Sequence, residues 1–251
     1  MHIDAHYVRG RTHTVCQDYA VTGPNVAVVC DGCSSAPHSD VGARLLAHAA
    51  LTAEPSALDS GAWLRGPDSV RETLALPASA LDATCIVARA HADAITVTMF
   101  GDGVIAARGR DDGPPLVIEV AYSRSAPPYP SYTLDANRLQ AYEHAGLGVP
   151  RIVASHASPT PVQNTLGVSW HFARSDWSAV LVGSDGLTAF EHEDRSAVPT
   201  EQVVGALFRY PSPHGAFVTR RLRRFVQREA PAAGIVTTDD VAVAAVCWEA
   251  A

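Results

Sequence analysis

The chain has 251 residues, of which 47% are hydrophobic and 18% charged, and its 19 Lys and Arg face 26 Asp and Glu, a formal net charge of -7. This apolar fraction excludes a wholly disordered chain. The acidic balance, with no run of Lys or Arg, argues against a surface that follows nucleic-acid phosphates.

The N-terminal residues lack the basic start and apolar stretch of a secretory signal, and no window approaches the roughly 20 apolar residues of a membrane-spanning helix. The five Cys residues form no recognisable disulfide framework. We therefore expect a cytoplasmic protein with reduced thiols. Because no repeat or linker divides the chain, we also expect residues 1–251 to form a single domain.

The first third of the chain predicts a buried strand at residues 25–30 and then a helix that begins near Asp40. Ser39 or Asp40 is the expected N-cap of this helix. A second helix is expected over residues 69–81, although Pro77 limits its continuity.

The remainder of the chain begins with short groups of β-branched residues separated by tight turns, a pattern typical of antiparallel hairpins. After these hairpins, expected strands alternate with expected helices. The expected elements are hairpin strands within residues 83–122, a loop at 123–133, helices at 134–145, 200–209 and 215–227, and strands at 178–183 and 241–246. This segregation favours an α+β fold with sheet packed on sheet over a doubly wound parallel sheet.

Five aspartates share one context, at or beside the end of an apolar run: Asp18, Asp31, Asp102, Asp185 and Asp239. Strand ends can direct several carboxylates to one point, and Mg²⁺ or Mn²⁺ prefers such oxygen ligands. A single Asp-Gly is more often simple turn chemistry. Five in one context favour a metal site.

The segments that carry these aspartates occur in a recognisable order. They are THTVCQDYA, VAVVCDGCSSAPHSDVGARLLA, TMFGDGVIAARG, AVLVGSDGLTAF and TTDDVAVAAV, within residues 12–246. In this order they resemble the five motifs of the metal-dependent Ser/Thr protein phosphatases of the 2C type, the PPM family. The resemblance implies a central antiparallel β-sandwich flanked by helices on both sides, in four αββα layers.

The resemblance also implies roles for individual residues. Asp31 would bridge two Mn²⁺ or Mg²⁺ ions, the Gly32 carbonyl would bind one of them, and Asp185 and Asp239 would complete the shell of the first ion. Asp240 occupies the usual Asn position, which makes Asp239 the expected ligand of the pair.

Two further aspartates have implied roles. Asp18 matches the residue that orients metal-bound water, and Asp102 matches a ligand of the third ion found in some members. Gly103 replaces the usual Ser beside Asp102, a change that we expect to matter little.

The sequence departs from the family pattern at the expected phosphate-binding position, where His13 replaces Arg. His13 can act in protonated form, Arg9 or Arg11 can substitute for it, or it can be an ordinary surface residue. Gln17 replaces the commoner Glu, which predicts weaker metal binding.

Cysteines and arginines leave further alternatives. Cys33 stands where some members carry a His, and with Cys30 it allows a thiol switch, although a structural Cys30 is the more economical interpretation. The residues Arg220, Arg221, Arg223, Arg224 and Arg228 form either a solvated helix face or a docking site for an acidic or phosphorylated partner.

Together these features predict a phosphatase that hydrolyses phosphoserine and phosphothreonine with metal-activated water. The expected partner is a phosphorylated protein, the substrate of an opposing Ser/Thr kinase, and a monomer that binds neither nucleic acid nor membrane is expected. The alternative is a pseudophosphatase that binds a phosphorylated partner without turnover. Substrate choice is expected in residues 123–133 and 145–169.

Overall fold

The computed structural model describes residues 1–111 and 113–248, and it shows two six-stranded antiparallel sheets packed face to face. Sheet A consists, in spatial order, of β1 (His2–Val8), β14 (Val241–Cys247), β11 (Trp177–Gly183), β6 (Gly103–Gly109), β7 (Leu116–Ala121) and β8 (Arg151–Ala154). Sheet B consists of β2 (Asp18–Thr22), β3 (Val26–Gly32), β4 (Ala83–Ala90), β5 (Ala94–Phe100), β10 (Val168–Ala173) and β9 (Val162–Gln163). A separate pair joins β12 (Phe190–His192) to β13 (Ile235–Thr237).

The central strand β14 is covered on both faces, which explains why its sequence is apolar at every position. Val246 packs in the core between the two sheets, whereas Val243 packs in the core beneath the outer helices. All positions of β14 are buried. A strand covered on both faces needs apolar residues on both, so the sequence prediction of a doubly buried strand is confirmed.

Helices α1 (Ser39–Thr52), α2 (Pro55–Ser60) and α3 (Arg65–Thr73) lie on the sheet B side. The predicted cap of α1 is wrong, because the N-cap is His38, which has a φ of 62° and makes no side-chain cap hydrogen bond. The Ser39 hydroxyl instead accepts a 2.7 Å hydrogen bond from Gln17 Nε2.

The helix expected over residues 69–81 does not form as one element. Helix α3 ends at Thr73, Ala75 has a φ of 53°, and a separate 3-10 turn spans Ala78–Leu81. Pro77 explains the break, because it lacks an N–H and disfavours helical backbone in the residue before it.

Helices α5 (Thr200–Leu207) and α6 (Phe217–Arg224) cover the outer face of sheet A, so the predicted four-layer α+β sandwich is confirmed. Helix α6 is shorter than expected because a π-helical turn at Phe225–Glu229 follows it. The short α7 (Ala230–Ala232) comes next.

The chain between β7 and β10 lies at the open edge of both sheets. Helix α4 (Ala136–His144) begins at Asp135, whose Oδ1 accepts hydrogen bonds from the backbone N–H of Asn137 and Arg138, and the predicted helix is confirmed. All residues of β8 and β9 are exposed. Within the residues that the structure describes, no helix has the length and apolar character needed to cross a bilayer.

Candidate metal centre

The predicted aspartates meet at one edge of the sandwich. Asp31, near the end of β3, lines a cleft of about 290 Å³ together with Asp102, Asp185, Asp239 and the backbone of Gly32. Asp102 occupies the β5–β6 turn, Asp185 follows β11, and Asp239 precedes β14. The sheet topology therefore brings together residues that are far apart in sequence.

Asp18 lies beneath this cleft, at the start of β2 and opposite Asp31 in the strand register. Its side chain is buried, and its Oδ2 accepts a 2.6 Å hydrogen bond from the Ser184 hydroxyl. The pKa of Asp18 is raised to about 7, chiefly by burial and also by the charges of Asp240 and Asp185, against the lowering effect of hydrogen bonds with Ser184 and Asp31. Asp18 is thus a fixed carboxyl that exchanges a proton near neutral pH.

Asp31 is a second carboxyl whose pKa the surroundings raise. Burial raises its pKa well above the ordinary value, and the charges of Asp18 and Asp185 act in the same direction. A carboxyl so placed holds its proton unless a positive charge comes close.

Asp102 is held between two glycines in backbone conformations that other residues rarely adopt. Gly101 has a φ of 95° and Gly103 a φ of 139°, and a Cβ at Gly103 would lie 2.7 Å from Ile86 Cδ1. Glycine at position 103 therefore suits both this backbone conformation and the close approach of Ile86. Burial, then the charge of Asp185, raises the pKa of Asp102 to about 7.

His13 stands between the two aspartates that precede β14. Its Nδ1 lies 3.0 Å from Asp240 Oδ2, and its Nε2 lies 3.4 Å from Asp239 Oδ1. The contact with Asp240 is the main cause of a raised pKa at His13. The ring is therefore part of the cleft wall, and its role in binding phosphate stays a prediction.

Asp240 is the structural member of the Asp239–Asp240 pair. Its buried carboxylate accepts 2.7 Å hydrogen bonds from the backbone N–H of both Gly10 and Gln17. These bonds fix the N-terminal segment against the edge of sheet A. Asp239 is about half-exposed toward the cleft, and burial followed by the charge of Asp185 raises its pKa.

Gln17 does not present its amide freely to the cleft. Its Nε2 donates to Ser39 Oγ at 2.7 Å and to the Cys33 carbonyl at 3.3 Å. Gln17 therefore joins the first motif to the start of α1.

Arg9 and Arg11 are exposed and do not line the cleft. Arg9 donates to the carbonyl of Thr14 at 2.9 Å. Neither arginine occupies the place of the missing phosphate-binding Arg in this structure.

The thiols are free, and Cys30 is buried opposite Cys85 in β4, where it packs in the core beneath α1. Cys33 is partly exposed on the cleft wall, with its Sγ 3.2 Å from Ser35 Oγ. A structural Cys30 is confirmed.

One wall of the cleft comes from residues 123–133, one of the two segments in which substrate choice is expected. Ser125, Pro127 and Tyr129 line it, from the segment expected to be a plain loop. Burial raises the pKa of Tyr129, and a hydrogen bond with Cys33 contributes, so its hydroxyl stays protonated.

The donor set fits a hard divalent cation, since carboxylate and backbone carbonyl oxygens are the ligands that Mg²⁺ and Mn²⁺ prefer. No Arg is among the described residues that line the cleft, so the crowded carboxyls have only His13 as a basic neighbour there. As the side chains stand in residues 1–111 and 113–248, no three of His, Cys, Asp and Glu converge closely enough to hold a metal ion.

Comparisons with known proteins agree with this geometry. The family model of protein phosphatase 2C matches residues 5–227, which include all the predicted site residues except Asp239. No curated protein sequence matches the chain.

Solved structures resemble the fold over nearly the whole chain. The serine/threonine phosphatase PstP/Ppp of Mycobacterium tuberculosis has 17% identity and a TM-score of 0.54, over 99% of this chain and 98% of that one. Stp1 of Staphylococcus aureus has 12% identity and a TM-score of 0.57, over 100% and 96%. A structure of the PstP catalytic domain in complex with two manganese ions has 18% identity and a TM-score of 0.52, over 97% and 96%. The match to the family model over most of its length shows that this chain belongs to the protein phosphatase 2C family.

Proposed function

We propose that the protein is a metal-dependent phosphatase that hydrolyses phosphoserine and phosphothreonine in proteins. The observation that carries this proposal is the cleft that five aspartates and the Gly32 backbone line without an arginine among the described lining residues. We take residues 1–251 as one domain, acting as a cytoplasmic monomer on a phosphoprotein whose Ser/Thr kinase it opposes.

Two Mn²⁺ or Mg²⁺ ions are the proposed cofactors. Asp31 would contact both ions, and the Gly32 carbonyl would contact one of them. Asp185 and Asp239 would complete the ligand shell of the first ion. Asp102 would be available to a third ion. Family membership and the manganese-bound PstP structure support this assignment. When bound, such ions lower the pKa of water and neutralise phosphoryl oxygens.

The chain's own residues supply orientation and proton transfer. Asp18 is fixed by Ser184 and adjoins Asp31, so we propose that it orients the attacking water. With a pKa of about 7, its carboxyl can accept or release a proton near neutral pH. His13, held beside Asp239 and Asp240, is the proposed cationic contact for the substrate phosphate.

A pseudophosphatase is the second candidate, and specific contacts favour it. Gln17 is bonded to Ser39 and Cys33, and His13 already contacts two carboxylates. A protein in which these residues cannot rearrange would bind a phosphorylated partner or a metal without turnover.

Hydrolysis of an aryl phosphate and of a phosphothreonine peptide separates the candidates. The reactions are run with Mn²⁺, with Mg²⁺ and with chelator, for the wild type, Asp185→Asn and the control Asp93→Asn, which alters an exposed aspartate outside the cleft. Metal-dependent turnover that survives in the control and disappears in Asp185→Asn supports the enzyme. Stabilisation by Mn²⁺ without turnover supports the pseudophosphatase.

A further inference from the structure

A second pocket lies at the opposite end of sheet A from the acidic cleft. This arginine pocket has a volume of about 290 Å³ and is lined by Arg209, Tyr210, Phe217, Arg220, Arg221 and Arg224. The Tyr210 hydroxyl lies 2.9 Å from the Sγ of Cys247, the last residue of β14, whereas Asp239 and Asp240 precede the first. A seven-residue strand spans about 20 Å, so the two sites are separate.

The positive charge of the arginine pocket exceeds the acidic charge that the fold places beside it. Arg221 and Arg224 both donate to the carboxylate of Glu229. Arg220 donates to the neutral carbonyl of His214 at 2.8 Å, and it pairs with no acidic side chain among the described residues. Arg209 is exposed, and no acidic side chain in the described part of the chain pairs with it.

The pocket floor is aromatic and held in place. The rings of Tyr210 and Phe217 meet edge to face with centroids 5.0 Å apart, and Phe217 is buried. Arg108 lies over the Tyr210 ring at 5.1 Å and donates to its hydroxyl. A rigid apolar floor beneath a cationic rim suits a ligand that combines an apolar side chain with anionic groups.

We propose that the arginine pocket binds an acidic peptide segment of a protein partner. Carboxylate or phosphate groups of the peptide would pair with Arg209 and Arg220, while an apolar side chain would lie on Tyr210, whose ring packs against the buried Phe217. Guanidinium groups favour such pairing because their planar fork matches both anions. A pocket of this size on a chain with a formal net charge of -7 favours a short peptide over a polyanionic membrane or nucleic acid.

Binding at this distance from the cleft would tether the partner rather than contact reacting groups. Tethering raises the local concentration of any phosphorylated residue that reaches the cleft, without a change in the cleft itself. The proposal does not depend on turnover, because peptide binding is measured directly.

The test is a calorimetric and NMR titration of the whole protein in chelator, with a blocked peptide in which glutamates flank a central leucine. Its glutamine counterpart, inorganic phosphate and vesicles containing phosphatidylserine are the comparison ligands. The variant carries Arg209→Glu and Arg220→Glu, and the control carries Arg65→Glu and Arg195→Glu, the same charge change at exposed arginines elsewhere.

We expect the glutamate peptide to perturb the Nε–H signals of Arg209 and Arg220, and the pocket variant to weaken its binding at least about tenfold. The control variant should bind like the wild type, and the glutamine peptide should not bind. Equal binding by both variants, absence of these perturbations, or binding to vesicles in place of the peptide would overturn the proposal. Far-UV circular dichroism establishes that both variants are folded.

Discussion

The two ends of sheet A differ in whether neighbouring residues of the chain neutralise the charged side chains there. At the acidic cleft, burial and also the charge of Asp185 raise the pKa values of both Asp31 and Asp102, and His13 is the basic side chain beside them. At the arginine pocket, Glu229 pairs with two of the arginines, and the pKa of its carboxyl falls to about 2. Charges that the fold neutralises serve stability, whereas charges that it leaves crowded are available to a ligand.

The largest predicted effect is the loss of hydrolysis when an aspartate of the acidic cleft is replaced. Asp31→Asn should lower Mn²⁺-supported hydrolysis by at least about 10²–10³-fold, the loss typical when one essential electrostatic group is removed. The same change should leave the metal-free protein as stable or more stable at pH 8, because Asn replaces a carboxyl whose ionised form is disfavoured by burial and by the charges of Asp18 and Asp185. Initial rates and thermal melting measure the two effects, and a loss of both activity and stability would contradict the account.

The next largest effect is a loss of stability when a paired arginine of the arginine pocket is replaced. Arg221→Ala should lower the free energy of unfolding by about 3 kcal/mol, at the low end for a broken buried ion pair because Glu229 is partly exposed. It also removes a 2.7 Å hydrogen bond to the carbonyl of Ala206. Arg223→Ala, at an exposed neighbour that contacts His6, should change stability by no more than about 0.5 kcal/mol. Urea unfolding measures the stability of both variants. Equal losses in the two would contradict the claim that the buried ion pair of Arg221 stabilises the fold more than the exposed Arg223 does.

A smaller effect separates the two aspartates before β14. Asp240→Ala should cost about 2 kcal/mol, because it leaves the N–H groups of Gly10 and Gln17 without their acceptor. Asp239→Ala should cost much less stability but abolish metal-dependent turnover. Urea unfolding and hydrolysis assays of both variants test this prediction. A large loss of stability in Asp239→Ala, with a loss of turnover but not of stability in Asp240→Ala, would contradict it.

The smallest effect is a pH dependence of the metal-free protein. Asp18 and Asp102 have ordinary pKa values of about 4, raised in the folded state to about 7. Between these values the folded state holds protons that the unfolded state has released, so stability falls as pH rises from about 4 to 7. His13, whose pKa is also raised, acts in the same direction.

The melting temperature of the metal-free protein should therefore fall by several degrees between pH 5 and pH 8, since each kcal/mol shifts it by about 2–4 °C in a chain of this size. Mn²⁺ should restore it at pH 8. Asp102→Asn should flatten the profile, and an unchanged slope in that variant would show that the cleft carboxyls are not its source.

Much of the fold could be predicted because hydrophobic patterning records burial directly. The doubly buried β14 and the hairpins β4 to β7 have runs or alternations that only a sheet satisfies. The cap of α1 was not predictable, because Ser39 is engaged by Gln17, a contact between residues that only the folded chain brings together.

The candidate site was predictable in its aspartates, since each lies at or beside the end of an apolar run and three of them are followed by Gly. Its electrostatics were not, because the hydrogen bonds to Asp240 connect residues more than 200 positions apart. The arginines of α6 show the same limit. Their spacing indicates a basic face, but it does not reveal that Arg221 is buried against Glu229.

The most direct test of the acidic end is a calorimetric Mn²⁺ titration of the wild type and of Asp185→Asn near pH 8. The account predicts that the wild type binds two ions and that the variant loses at least one of them. Failure of the wild type to bind Mn²⁺, or identical binding by the two proteins, would contradict the claim that these crowded carboxylates form a metal centre.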